Sequence, residues 1–115
     1  RAHPIPRLTL AGGFGKLSKL AQGHMDLHSS RSSVDMLDLA ETARRVGADE
    51  AAAGNIATAN TAMQALEIAV ENDVPLADAI AGRARGAALA TLAGGTAVEV
   101  LIFTRSGALA GRAGS

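Results

Sequence analysis

R-L-T-L-A-G-G-F-G-K-L-S-K-L-A-Q-G, Arg7 to Gly23, changes its hydrophobic period within a few residues, and that change decides the fold. Arg7 to Ala11 is a short apolar run that ends at Gly12-Gly13, where the missing side chains allow a sharp turn. Between Gly15 and Ala21, Leu17, Leu20 and Ala21 fall at i, i+3 and i+4, with Lys16 and Lys19 off the stripe. That spacing predicts a short amphipathic helix closing near Gly23. The order is strand, glycine loop, helix. The far end mirrors it. Ala97 to Thr104 (AVEVLIFT) is β-branched and apolar on both faces, as a buried strand is, and Arg105-Ser106-Gly107 turns it into Ala108 to Arg112 as a hairpin.

Helices fill the interval. Ser33 is an N-cap candidate for a helix to about Val46, with Met36, Leu39, Ala40, Ala43 and Val46 at helical spacing and Arg44 and Arg45 in the last turn. Asp49 to Asn60 is alanine-rich and fits a short helix broken near Gly54-Asn55. Thr61 opens T-A-M-Q, a capping-box pattern for a helix to about Asn72. Pro75 suits the first turn of another, striped by Leu76, Ile80, Ala84, Ala87 and Ala88 and ended by Gly94-Gly95. The expected fold class is α/β, a small mixed sheet with helices packed on at least one face. This layered α/β sandwich spans 1–115 as a single domain and ends in a β-hairpin.

Composition narrows the function. The 115 residues are 48% apolar, enough for one core, and only Phe14 and Phe103 are aromatic, so alanine seams must do much of the packing. Eleven basic and eleven acidic residues cancel, and with no aromatic platform this argues against nucleic-acid binding. Cysteine is absent, which excludes disulfides and thiolate metal sites and suits the cytoplasm. No apolar run approaches the roughly 20 residues of a membrane span, so a soluble protein is expected. The chain begins at Arg1 rather than Met, as a segment of a longer polypeptide would.

The glycine segment is the richest in possible chemistry. A glycine loop before a helix exposes backbone N–H groups at the positive helix end, suited to carboxylate or phosphate, and Lys16 adds a full charge. The plainer reading is a tight turn with a solvated lysine. Two phosphate motifs fail here: Leu10 and Leu17 stand where a P-loop needs Gly and Ser or Thr, and Ser18 replaces the third glycine of a dinucleotide fingerprint. His24 and His28 are four apart, but without Cys or a following Glu no metal site is expected. His28, Ser29 and Arg31 form a hydrogen-bonding candidate cluster for a polar ligand. Asn60-Thr61 reads as a helix cap whose N-terminus could also hold an anion. No G-x-S-x-G elbow is present.

G-G-F-G-K-L-S-K-L-A-Q-G-H-M-D-L-H-S (Gly12 to Ser29), A-N-T-A-M-Q-A-L-E-I-A (Ala59 to Ala69) and V-E-V-L-I-F-T-R-S-G (Val98 to Gly107) together resemble the C-terminal region of the CbiD family of tetrapyrrole methyltransferases. The first block is the most telling, with G-K-L-x-K-L-A-x-G at Gly15 to Gly23 and a His-Ser pair at His28-Ser29. Many members carry His-Ile where this chain has Gly13-Phe14. The family's T-T-G-T-C-A-type stretch, more N-terminal, is not in this sequence.

The resemblance implies S-adenosylmethionine-dependent methylation of carbon 1 of cobalt-precorrin-5B, giving cobalt-precorrin-6A in cobalamin (corrin ring) biosynthesis. It implies a C-terminal fragment of a longer methyltransferase, soluble yet inactive by itself where the site is incomplete. The partners implied are the cobalt-precorrin and S-adenosylmethionine as methyl donor, with no protein-bound metal; a homo-oligomer is compatible. Expected ligand contacts are Gly12, Gly13, Gly15, Lys16, Lys19, His28, Ser29, Arg31, Asn60 and Thr61; no catalytic side chain is assigned. The competing expectation is a non-catalytic α/β ligand-binding or oligomerisation module that keeps the glycines only as a turn.

Overall fold

The switch of period after Ala11 produces a strand that runs straight into a helix. In the computed structural model, which describes residues 6–23, 34–92 and 94–114, the elements are β1 (Arg7–Gly13), α1 (Phe14–Ala21), α2 (Met36–Arg45), α3 (Glu50–Ala57), α4 (Ala62–Glu71), α5 (Leu76–Thr91), β2 (Ala97–Phe103) and β3 (Leu109–Ala113). The sheet order is β1-β2-β3. β1 lies parallel to β2, with Gly13 opposite Phe103, and β2 pairs antiparallel with β3 across a bulge beside Ile102 and Phe103. The expected mixed sheet with a terminal hairpin is therefore the observed one.

α5 lies along β2 and β3, and α1 packs on α5, so both helices cover the same face. Val98, Val100 and Ile102 point into that layer and are buried with Phe14, Leu76 and Ile80. Alanines at 77, 81, 84 and 88 line the buried stripe of α5. Small side chains let helix and strand backbones approach, which is how a chain poor in aromatics fills its core. Two bonds pin α5 to the sheet: Arg85 Nε donates to the Val98 carbonyl at 2.8 Å, and the Arg112 N–H donates to Asp78 Oδ1 at 3.0 Å.

Four expectations change. The glycine loop is absent as such: Gly12 and Gly13 end the strand with ordinary φ, and a Cβ on Gly12 would press on Leu17, 3.0 Å from its Cδ2. α3 runs unbroken through Gly54-Asn55, because Asp49 caps it at 2.8 Å and Ala52, Ala53 and Ile56 are buried on one side. Ser33 lies outside the described residues; the cap of α2 is Asp35, whose Oδ1 accepts from the Asp38 N–H at 3.1 Å. β2 was expected to be apolar on both faces, yet its outer side carries Glu99 beside Leu101 and Phe103, and only its even-numbered side chains are buried.

One buried group is left without a partner. Ser18 is fully buried on the inner face of α1 and its hydroxyl has no hydrogen bond. An orphaned buried hydroxyl costs about 1–3 kcal/mol, and alanine is the better helix former. Ser18→Ala is expected to raise stability by about 1 kcal/mol in urea unfolding; a loss would mean the hydroxyl has a partner in solution.

Candidate functional site

Because β1 and β2 run parallel and in register, both end at one edge of the sheet, Gly13 beside Phe103. In open α/β sheets ligands gather at that carboxyl edge. α1 starts there directly, and the start of α4 comes alongside it: a Cβ on Gly15 would sit 3.9 Å from Ala62 Cβ. Two helix N-termini are thus neighbours at the edge where the strands finish.

The two termini are finished differently. At α4, Thr61 Oγ1 accepts from the Gln64 N–H at 3.0 Å, and Gln64 Oε1 accepts from the Asn60 N–H at 2.8 Å. This is a capping box whose return bond reaches one residue further back than the pattern requires, and it commits the Thr61 oxygen to its own helix. At α1 the N-cap is Gly13, which has no side chain to offer, and no cap bond is made. The first-turn N–H groups of α1 keep their donors and the positive end of the helix dipole, the setting in which an anion is held.

A groove of about 970 Å³ lies between α4 and the β2–β3 hairpin, with Thr61 at the start of α4 and Thr104 just after β2 in its lining. Its apolar walls include Met63 and Val70 of α4 and Leu109 of β3; Val70 is 64% and Leu109 49% exposed. Thr61, Arg105 and Ser106 supply donors around it, and Glu67 and Glu71 supply negative charge on the α4 side. The hairpin turn is internally bonded: the Thr104 N–H donates to the Ala108 carbonyl at 2.8 Å, and the Thr104 and Ser106 hydroxyls are 2.9 Å apart.

Of the expected contact residues, Gly12, Gly13 and Gly15 meet at the β1–α1 junction, with Asn60 and Thr61 beside them; Thr61 also lines the groove. Lys16 is exposed, and a Cβ on Gly12 would lie 3.4 Å from its Cδ, so the lysine stem runs back over the end of β1. Lys19 is half-buried in the last turn of α1, away from the helix start. His28, Ser29 and Arg31 lie outside the described residues, as does His24. No group of three His, Cys, Asp or Glu arranged to hold a metal occurs among the described residues.

The sequence reading missed the groove residues Glu67, Glu71, Arg105 and Leu109. Arg105 was legible only as part of a turn, and the exposure of Val70 and Leu109 is a tertiary property. It also missed the contacts that join Gln22, after α1, to the start of α2. Gln22 Oε1 accepts from the Asp35 N–H at 2.8 Å and Gln22 Nε2 donates to Asp38 Oδ2 at 3.0 Å. Arg83 Nη1 lies 2.6 Å from the same oxygen and 2.9 Å from Thr42 Oγ1, tying α5 to α2.

The family model described as "CbiD, C-terminal domain" matches residues 26–114. Among curated proteins, the Cobalt-precorrin-5B C(1)-methyltransferase of Pseudomonas putida (strain F1) is 48% identical over 114 residues, 99% of this chain and 31% of the relative. Proteins of the same name are 51% identical in Paramagnetospirillum magneticum (98% of this chain, 31% of the relative) and 47% in Halorhodospira halophila (99% and 31%). The chain therefore spans about a third of the length of these relatives. No solved structure matches it. No described helix is long and apolar enough to cross a membrane.

Proposed function

Since the chain belongs to the CbiD family, as its C-terminal domain, we propose that it forms part of an enzyme that methylates carbon 1 of cobalt-precorrin-5B in corrin biosynthesis, with S-adenosylmethionine as donor. The observation that carries this reading is the likeness to enzymes of that name across 99% of the chain. In this reading the chain works in the cytoplasm as the C-terminal domain of a longer methyltransferase.

The geometry supports a share in binding. A tetrapyrrole precursor offers a broad apolar ring edged by carboxylates. The apolar walls of the open groove fit the first; the uncapped start of α1 with Lys16, and Arg105 within the groove, fit the second. Glu67 and Glu71 repel carboxylates and so orient the ring's acidic edge away from α4. The donor supplies an already electrophilic methyl carbon, so the protein's task is alignment and exclusion of water. Met63, Val70 and Leu109 would exclude water, while the α1 N–H groups and the Thr61 end of α4 would fix the ring's orientation.

The test is a full-length hybrid in which this chain replaces the corresponding region of the Pseudomonas putida relative. Methyl transfer from S-adenosylmethionine to cobalt-precorrin-5B is expected, and none, with the parent active, overturns the reading. In the hybrid Lys16→Ala is expected to raise KM for the tetrapyrrole about ten-fold with kcat nearly kept, the effect of losing one charge-assisted contact. Unchanged kinetics would remove Lys16 from the site.

A further inference from the structure

The sheet has a second face, and among the described residues no helix packs on it. Residues paired across neighbouring strands share a face. Leu10, Val100 and Ile102 look toward the helices, whereas Thr9, Ala11, Glu99, Leu101, Phe103 and Arg112 look away. This outer face is graded. At one end Thr9 Oγ1 donates to Glu99 at 3.3 Å and Arg112 lies 3.9 Å from Glu99, a polar ladder across all three strands. Toward the carboxyl edge the same face turns apolar through Ala11, Leu101 and Phe103.

A sheet with one wet face normally alternates apolar and polar along each strand; a strand apolar on both sides is one buried on both sides. The latter half of β2, Val100 to Phe103, is of the second kind, but the described residues cover only one of its sides. Phe103 is one of two aromatics in the chain, and the other, Phe14, is fully buried in the core. Among the described residues β1 also keeps an unpaired outer edge, since β2 lies on one side of it only.

What covers the face follows from size. The domain is the C-terminal one of its family and spans 31% of the relatives, so most of each relative lies outside it. We propose that the outer face of the β1-β2-β3 sheet is where that remaining polypeptide docks. Leu101 and Phe103 form the apolar centre of the contact and the Thr9–Glu99–Arg112 ladder its polar rim. The inference rests on family membership and not on the reaction.

The chain has no cysteine, so single-cysteine reporters can be placed in it. Leu101→Cys reports on the face and Leu37→Cys, at a position 72% exposed on α2, is the control. Maleimide labelling, read by peptide mass spectrometry, is compared between the Pseudomonas putida hybrid and the 115-residue chain, its fold checked by circular dichroism. Leu101→Cys is expected to label about ten-fold more slowly in the hybrid and Leu37→Cys equally in both. Equal rates for Leu101→Cys overturn the proposal. So does protection in the isolated chain that grows with its concentration, which would make a second copy the occupant. Should the isolated chain be unfolded, Leu37→Cys in the hybrid is the reference: about ten-fold faster labelling than Leu101→Cys supports the docked face, and equal rates overturn it. Labelling needs no turnover, so this result and the methylation result fail independently.

Discussion

Gly111→Ala is expected to destabilise the domain by about 3 kcal/mol or more, the upper range for overpacking a close-packed interior. Gly111 is buried on β3 opposite Ile102, beneath the first turn of α5. A Cβ there would stand 2.5 Å from the Ala77 carbonyl carbon, 2.7 Å from Ala77 Cβ and 2.7 Å from the Asp78 nitrogen. Two of the three obstacles are backbone atoms of a helix whose Leu76, Ala77 and Ile80 are buried, so no rotamer change relieves the contact. Lifting α5 away would break the bond from the Arg112 N–H to Asp78 and open the seam over Ile102. Urea unfolding measures the loss. Gly54→Ala is the matched control: it lies inside α3 with nothing within 4 Å of the added methyl. It is expected to gain about 0.5–1 kcal/mol from helix propensity alone. A Gly111→Ala variant within about 0.5 kcal/mol of the parent would show that α5 does not bear on β3 so closely in solution.

The same glycine shows where reading the sequence stops. Periodicity is local, so β1, α1, α2, α4, α5 and the closing hairpin could be traced from apolar spacing, caps and turn residues. Gly111 carries no local signal; its necessity comes from a helix 34 residues away in sequence, through Asp78 and its partner Arg112. Gly12 was legible as a breaker, but its close approach to Leu17 is a packing fact that no local pattern carries. For the site, the glycines and Asn60-Thr61 were legible because helix starts have a chemical signature, and the structure brings them to one edge. The groove was not, because Val70 and Leu109 read as ordinary helix and strand residues until α4 and the hairpin stand opposite each other. The bond between Asp38 and Arg83 carries no local signal for the same reason, its residues being 45 apart.

The second large effect lies at the site itself. Phe14 is the first residue of α1, is fully buried, and is the bulkiest side chain in the core. Its ring anchors the turn whose N–H groups are offered at the carboxyl edge, so the residue joins packing to binding. Phe14→Ala should cost about 3–5 kcal/mol, since a cavity of that size in an alanine-rich core has few long side chains able to collapse into it. Against a total of about 5–15 kcal/mol for a domain of this kind, much of the stability goes with it. Phe14→Ile should cost only about 1–1.5 kcal/mol because most of the volume is kept. Amide exchange separates anchoring from bulk stability. In Phe14→Ala the N–H groups of Ser18 and Lys19, bonded within α1, should lose protection before those of α5, whereas in Phe14→Ile the order should match the parent. Were Phe14→Ala to cost less than about 1.5 kcal/mol, the ring would not be what holds the start of α1, and the offered N–H groups would owe their position to the Gly12–Leu17 contact instead.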